Sequence, residues 1–331
     1  MFLSPEIHSI FYFNALLLIF LSFVLVKRIK TSNREKEDLK MELLRHKQMV
    51  EKGLSQIASL RSRSNVLENE LSMARDIQLA MIPLKPVVEN IQSLYLPMGK
   101  VGGDFFDIIT LNENEIGIFI CDVTGHGIPA ALITVMIKSM ILVGITELNQ
   151  TKGASWLMEP DRFIRHMNNV LIDHLQDNFT TAFYGIYNKY DKSFKFSSAA
   201  HPPPIILHYT SDGEPVTLSF LNVSPQAPPF GVYLFAADKP VFGVNRVVLT
   251  EHTRLLFYSD GLMDNVGYDY LNSQAGLESF KQTILYDYFM ESKDFNLLTM
   301  METLSIQLLL HKDLGLEDDV CVVVLEIDFK I

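Results

Sequence analysis

Residues 101–132 read VGGDFFDIITLNENEIGIFICDVTGHGIPAAL. Two apolar, strand-like runs, FFDIITL and EIGIFICDV, are separated by a polar turn, and a glycine-containing turn then leads through Pro129 into an apolar helical stretch. Two carboxylates, Asp104 and Asp122, stand at the edges of these runs with glycines close by. Burying an unpaired charge there is costly. Something must compensate it, and the candidates are a metal, a phosphate-binding turn or loop chemistry.

Downstream, strand-like runs alternate with turns: TTAFYGIYN, SFKFSSA, PIILHYT, VTLSFL, RLLFYS and DVCVVVLEID. Helical stretches interrupt them at 129–148 and at 160–175, where Phe163, Met167, Leu171 and Leu175 recur at helical spacing, with a weaker one within 275–310. Strands in runs with helices grouped between them predict an α+β fold, a sandwich of mainly antiparallel sheets flanked by helices, rather than a βαβ repeat. Further carboxylates fall at strand ends. Asp260 closes RLLFYS before Gly261, and Asp318 and Asp319 precede VCVVVLEI. One such carboxylate is commonly a turn former or cap; a set of them flanking core strands calls for a shared explanation. If the strands converge, the site offers only hard oxygen ligands, with no clustered His or Cys, which suits Mg²⁺ or Mn²⁺ rather than zinc. Two such ions sharing a carboxylate would activate water and clamp a phosphoryl group.

The N-terminal side has a different texture. Ile10–Val26 carries no charge, and Lys27, Arg28 and Lys30 follow it directly, whereas no Lys or Arg precedes it. The positive-inside tendency then predicts a single uncleaved anchor with the rest of the chain in the cytoplasm. From Thr31 to about Met81 the chain is rich in Glu, Lys, Arg and Leu. Heptads place Leu43, Val50, Ile57, Ser64, Leu71 and Gln78 at a, and His46, Gly53, Leu60, Leu67, Ala74 and Met81 at d, which predicts a parallel dimeric coiled coil with an imperfect seam. Pro83 and Pro86 end it.

Composition narrows the function. The 331 residues suit one large domain with an appendage, or two domains, and a net charge of −11 argues against a nucleic-acid binder. An acidic protein that handles a phosphorylated substrate would need cations to bring it in. Cys121 and Cys321 lie inside strand-like runs and read as buried thiols, with neither a disulfide framework nor zinc spacing.

An ordered set of motifs, ARDIQLAMIP (74–83), VGGDFFD (101–107), CDVTGHGIPAAL (121–132), TTAFYGIYN (180–188), AAHPPP (199–204), PPFGV (228–232), LFYSDGLMDN (256–265) and EDDVCVVVLEI (317–327), resembles the PPM metal-dependent serine/threonine phosphatases, in particular their bacterial SpoIIE/RsbU-like branch. The resemblance implies two antiparallel sheets packed face to face with a two-metal site at the sandwich edge, holding Mn²⁺ or Mg²⁺. Carried over by motif, Asp122 would bridge the ions, the carbonyl of Val123 would reach one, Asp260 and Asp318 would hold the other, and Asp104 would bind or orient metal-bound water. Asp104 and Asp122 are thus the catalytic candidates. Asp319 stands where relatives often carry Asn and falls outside the ligand set, while His126 and His201 read as turn and structural residues. Ser259, Cys321 and Ala200 depart from the family's commoner Thr, Thr and Gly, but none removes a carboxylate.

The expected organisation is therefore a membrane anchor at 1–30, a helical coiled-coil linker at 31–82 and a PPM-type phosphatase domain at 83–331. The expected reaction is hydrolysis of a phosphoserine or phosphothreonine on a regulatory protein, in this branch usually an anti-sigma-factor antagonist, by water activated between two metals. The expected placement is a single-pass homodimer in the cytoplasmic membrane with the catalytic domain inside. Two alternatives compete: an inactive phosphoprotein-binding scaffold, and a GGDEF-like nucleotide cyclase. In the latter Phe105 would replace the signature Glu, and Asp260 and Asp318 would have no role.

Overall fold

A computed structural model describes residues 5–328 except 29–32, 86–87, 152–154, 176–177, 211–214, 233–239, 266–283, 292–295 and 311–315. Lys30 of the basic flank and the first part of the expected 275–310 helix lie outside the described residues. The chain forms two compact units, Met1–Met73 and Ala74–Ile331.

The first unit is helical. Helix α1 spans Pro5–Arg28 and covers the expected anchor. Helix α2 runs from Asn33 to Met81, so its last eight residues belong to the second unit. Along its heptad seam Leu60 and Leu67 are about half exposed.

Among the described residues the second unit holds two five-stranded sheets whose paired strands run antiparallel. One sheet takes β1 (Ile91–Leu96), β10 (Val320–Ile327), β9 (Thr253–Tyr258), β6 (Ile205–Tyr209) and β7 (Pro215–Phe220), in that order. The other takes β2 (Asp104–Thr110), β3 (Glu115–Val123), β4 (Thr180–Asn188), β5 (Ser193–Ala199) and β8 (Asn245–Val248). The continuous apolar runs Leu255–Tyr258 of β9 and Val320–Leu325 of β10 follow from burial on both faces. Leu255, Phe257, Cys321, Val323 and Leu325 point into the core between the sheets. Their neighbours Leu256, Tyr258, Val322 and Val324 pack outward against helices α6 (Ile284–Glu291) and α7 (Leu297–Leu310), through Phe289, Met300 and Leu304. Phe257 of one sheet meets Phe183 and Phe194 of the other at ring-centroid distances of 5.7 and 5.9 Å, each such pair adding about 1 kcal/mol beyond area burial.

The outer face of the second sheet is covered by α3 (Ile128–Thr151) and α4 (Pro160–Leu175). Phe163 of α4 stacks on Tyr184 at 3.8 Å and leans on Phe119 at 5.2 Å. Helix α3 buries Ala130, Ile133, Ile137, Ile141 and Leu148 at helical spacing, yet is apolar on its open side as well, with Leu132, Leu142 and Val143 exposed. Among the described residues it is the one helix long and apolar enough to cross a membrane, and it is packed into this domain.

Candidate active site

Strands β2 and β3 pair so that Asp104 sits directly opposite Asp122. Side chains of such pairs share a face, with Cβ atoms about 5 Å apart, and like charges there repel. From the other sheet, β9 ends at Tyr258 and continues through Ser259 and Asp260 into the short helix α5 (Gly261–Asp264), while Asp318 and Asp319 lead into β10. The two sheets bring these ends together. Asp104 feels Asp122, Asp319 and Asp260, and Asp122 feels Asp260, Asp318 and Asp319. Four of the sequence-predicted residues, Asp104, Asp122, Asp260 and Asp318, therefore form one electrostatic cluster at one edge of the sandwich.

Two glycines allow this approach. A Cβ on Gly102 would meet Asp319 Oδ2 at 2.3 Å and Tyr95 Oη at 2.7 Å. A Cβ on Gly103 would meet the Val123 carbonyl oxygen at 2.5 Å and that of Gly125 at 3.2 Å. The fifth predicted residue, Val123, thus presents its carbonyl beside the Gly103–Asp104 peptide. Its N–H donates to the Gly103 carbonyl at 3.2 Å. Gly125 and Gly127 hold φ of +89° and +80°, values that favour glycine and turn the chain sharply into α3.

Asp319 is buried and works on the backbone. Its Oδ1 accepts the Met98 N–H and its Oδ2 the Gly103 N–H, both at 2.8 Å. Gln78, near the end of α2, grips the same turn from the other side. Its Nε2 donates to the Gly102 carbonyl at 2.8 Å and its Oε1 accepts the Gly102 N–H at 3.1 Å. Sequence reasoning placed Gln78 only at a heptad position, although a polar residue on an apolar seam was the available clue. Ser259 accepts the Cys321 N–H at 2.9 Å and lies near enough to the Asp104 carboxylate to lower it.

Electrostatics describe a site built for positive charge. Burial first, then Asp122 and Asp319, pushes Asp104 well above the usual carboxylate range. Burial first, then Asp260 and Asp318, pushes Asp122 up to about 8, and Asp260 rises to about 6 through burial and then Asp318. Asp318 is also raised, by burial first, while the Asp319 N–H that donates to its Oδ1 at 2.7 Å pulls it back down. Asp104 Oδ2 is buried without a hydrogen-bond partner among the described residues. An orphaned buried carboxylate oxygen facing other carboxylates and a backbone carbonyl fits a hard divalent cation. Among the described residues no three His, Cys, Asp or Glu side chains close on a single point. The donors are gathered around the site without forming a closed cage.

His126 sits exposed in the turn before α3. His201 is buried, its Nδ1 lies 2.9 Å from Thr181 Oγ1, and burial lowers it to about 3. It is neutral at physiological pH, and Thr181 is the cross-strand neighbour of Asp122, so His201 supports the strand rather than supplying a proton.

The chain matches the family Stage II sporulation protein E (SpoIIE) over residues 112–328. It is 29% identical over 208 residues to the phosphoserine phosphatase RsbP of Bacillus subtilis (strain 168), covering 62% of this chain and 47% of that protein. To the phosphoserine phosphatase RsbU of the same organism it is 29% identical over 149 residues, 44% of this chain and 42% of that protein. It thus spans about half the length of the curated relatives it matches. Among solved structures it is similar to the SiaA-PP2C domain of Pseudomonas aeruginosa, with a TM-score of 0.62, 19% identity, and coverage of 80% of this chain and 98% of that one. It also resembles the PP2C phosphatase domain of SpoIIE from Bacillus subtilis solved with a fragment of its regulatory domain, with a TM-score of 0.51, 18% identity, and coverage of 72% and 63%.

Proposed function

Because the chain belongs to the SpoIIE family, with the PPM-type serine/threonine phosphatase fold, we propose that it is a metal-dependent protein phosphatase hydrolysing phosphoserine or phosphothreonine on a regulatory protein. The observation that carries this reading is the gathering of Asp104 and Asp122 from one sheet with Asp260 and Asp318 from the other, around a buried carboxylate oxygen that has no partner. Two ions, Mn²⁺ or Mg²⁺, held by Asp104, Asp122, Asp260, Asp318 and the Val123 carbonyl, would supply Lewis-acid activation of water and charge neutralisation at the phosphoryl group. The chain's own work is positioning. Asp122 lies where both sheets can share it, and Asp104 is aimed by the turn that Asp319 and Gln78 hold. The acidic charge of the rim leaves recruitment of the phosphoryl group to the cations.

The substrate class is supported by the names of the relatives, both phosphoserine phosphatases, and an anti-sigma-factor antagonist is the regulatory protein this reading favours. The phosphatase domain is taken as residues 83–331, preceded by the anchor at 1–30 and the coiled-coil linker at 31–82. Anchoring in the cytoplasmic membrane, with the domain inside the cell, is supported by the uncharged helical run and the Lys27 and Arg28 that follow it. Dimerisation is supported by the half-exposed apolar seam of α2. Hydrolysis of a phosphoserine protein substrate with Mn²⁺, with chelator, and in Asp122→Asn and Asp260→Asn variants tests the activity. Turnover should depend on Mn²⁺ or Mg²⁺ and fall at least about a hundredfold in each variant with circular dichroism unchanged. Full activity in either variant would sink the assignment.

A further inference from the structure

Asn265 ends the motif LFYSDGLMDN, and the ligand assignment gives it no task. It directly follows α5 and is only 4% exposed. Its side-chain amide is fully engaged. Nδ2 donates to the Gly261 carbonyl at 2.7 Å and to the Asp318 carbonyl at 3.2 Å, and Oδ1 accepts the Glu317 N–H at 2.9 Å. One orientation of the amide serves two carbonyls and an N–H at once, and this is that orientation. A residue that merely closed α5 would need the Gly261 bond alone. Asn265 also reaches 52 and 53 positions along the chain to bracket Glu317 and Asp318.

The two segments it joins carry acids that repel. Asp260 stands immediately before Gly261, and after burial the charge of Asp318 is the largest influence raising it. Gly261 lets the segments close on each other. A Cβ there would overlap the Asp319 carbonyl oxygen and stand 3.3 Å from Asp318 Cβ. Strands β9 and β10 are tied just behind the acids, where the Ser259 N–H donates to the Cys321 carbonyl at 3.0 Å. Asn265 carries that tie past the strand ends, to the peptides beside Asp260 and Asp318 themselves.

We propose that Asn265 is a positioning residue for the carboxylate site: by tying Gly261 to Glu317 and Asp318 it sets the spacing of Asp260 and Asp318, and with it the affinity for the cation these two hold. The proposal rests on the reading of Asp104, Asp122, Asp260 and Asp318 as metal ligands, and the experiment separates the two. Mn²⁺ binding to the full chain is measured by electron paramagnetic resonance, well below each melting temperature, for the parent, Asn265→Ala, Asp318→Ala, the Asn265→Ala/Asp318→Ala pair, Asp122→Asn and Ile116→Ala. Asn265→Ala should bind Mn²⁺ about tenfold or more weakly, in the range expected for removing a group that orients ligands. Ile116→Ala opens a cavity in the core at the far end of β3 from Asp122, so it should lower the melting temperature and keep the parent's affinity. In the Asp318→Ala background Asn265→Ala should add little, because one of the two carboxylates whose spacing it sets is gone. If Asn265→Ala does not fold, Asn265→Gln, which holds the amide one methylene farther out, is measured in its place against the same expectation. Binding within about twofold of the parent, while Asp122→Asn loses it, defeats the Asn265 proposal alone. If Asp122→Asn binds as the parent does, the ligand reading falls and this proposal with it. A loss that Ile116→Ala shares, or that persists undiminished beside Asp318→Ala, would overturn the positioning role and leave Asn265 as a support of the fold.

Discussion

Ala200 holds a φ of +54°, in the left-handed region, at the position where the resemblance led us to expect glycine. An L-residue with a Cβ pays about 1–2 kcal/mol there. The strain sits beside His201, whose ring supports Thr181 and through it the strand carrying Asp122. Ala200→Gly should therefore raise the free energy of unfolding by about 1 kcal/mol in a urea titration, part of the relief being offset by the greater freedom of glycine in the unfolded chain. A destabilised variant would mean that the Ala200 methyl packs better than its backbone suffers. The acids make a second case at this scale. Folded Asp122 and Asp260 are raised to about 8 and about 6 from 3.8, so without a cation the folded protein holds protons that the unfolded chain releases. The unfolded state binds fewer protons, and stability must fall as pH rises through that window. With chelator present, the melting temperature of the parent should drop between pH 5 and pH 8. Asp122→Asn should blunt the drop and melt above the parent at pH 8. A profile that stays level from pH 5 to pH 8 would show that the carboxylates are not in mutual repulsion.

Helix α3 is tied to the strand that carries Asp104. Lys138 Nζ lies 2.7 Å from Asp107 Oδ2, and that carboxylate is almost fully buried. Burial raises Asp107 even though Lys138 pulls it down. Removing the lysine alone leaves an uncompensated charge inside the protein. Lys138→Met should cost about 3 kcal/mol, and adding Asp107→Asn should recover much of it. Strict additivity of the two changes in denaturant titrations would refute the coupling. Asp107 also marks a limit of sequence reading. It stands within the quoted VGGDFFD, yet nothing in a single sequence pairs it with a lysine one helix away. The cluster itself was legible because each carboxylate ended an apolar run, a local pattern that survives folding. Strands β2 to β7, β9 and β10 were legible for the same reason. Strands β1 and β8 were not: IQSLYL is buried only at its first and fifth residues, NRVV is a four-residue edge strand, and both are shaped by their partners rather than by their own pattern. Helix α3 shows the opposite difficulty. It is apolar enough to pass for a membrane span, and only its packing reveals it as a core helix. Gln78 escaped notice because its role exists only once a distant backbone turn is folded against it.

At the scale of the whole molecule, α2 is one continuous helix of 49 residues from Asn33 to Met81, and its heptads run on to Gln78, whose amide holds the Gly102 turn. In one copy of the chain Leu60 and Leu67 stand about half open to water, and the proposed pairing with a second copy would bury them. If pairing changes how α2 is held, it biases Gln78 and with it the turn before Asp104, and a difference of a few kcal/mol between two arrangements is enough to shift their populations substantially. Charged substitutions at the a positions, Ile57→Lys and Leu71→Lys, should make residues 31–331 sediment as a monomer and change turnover, with Mn²⁺ affinity retained because the proposed ligands lie elsewhere. Turnover of the parent should then depend on enzyme concentration near the dimer dissociation constant, whereas the variants should show none of that dependence. Monomeric variants that work as fast as the parent at every enzyme concentration would overturn this control and leave the proposed coiled coil with no hand in the chemistry.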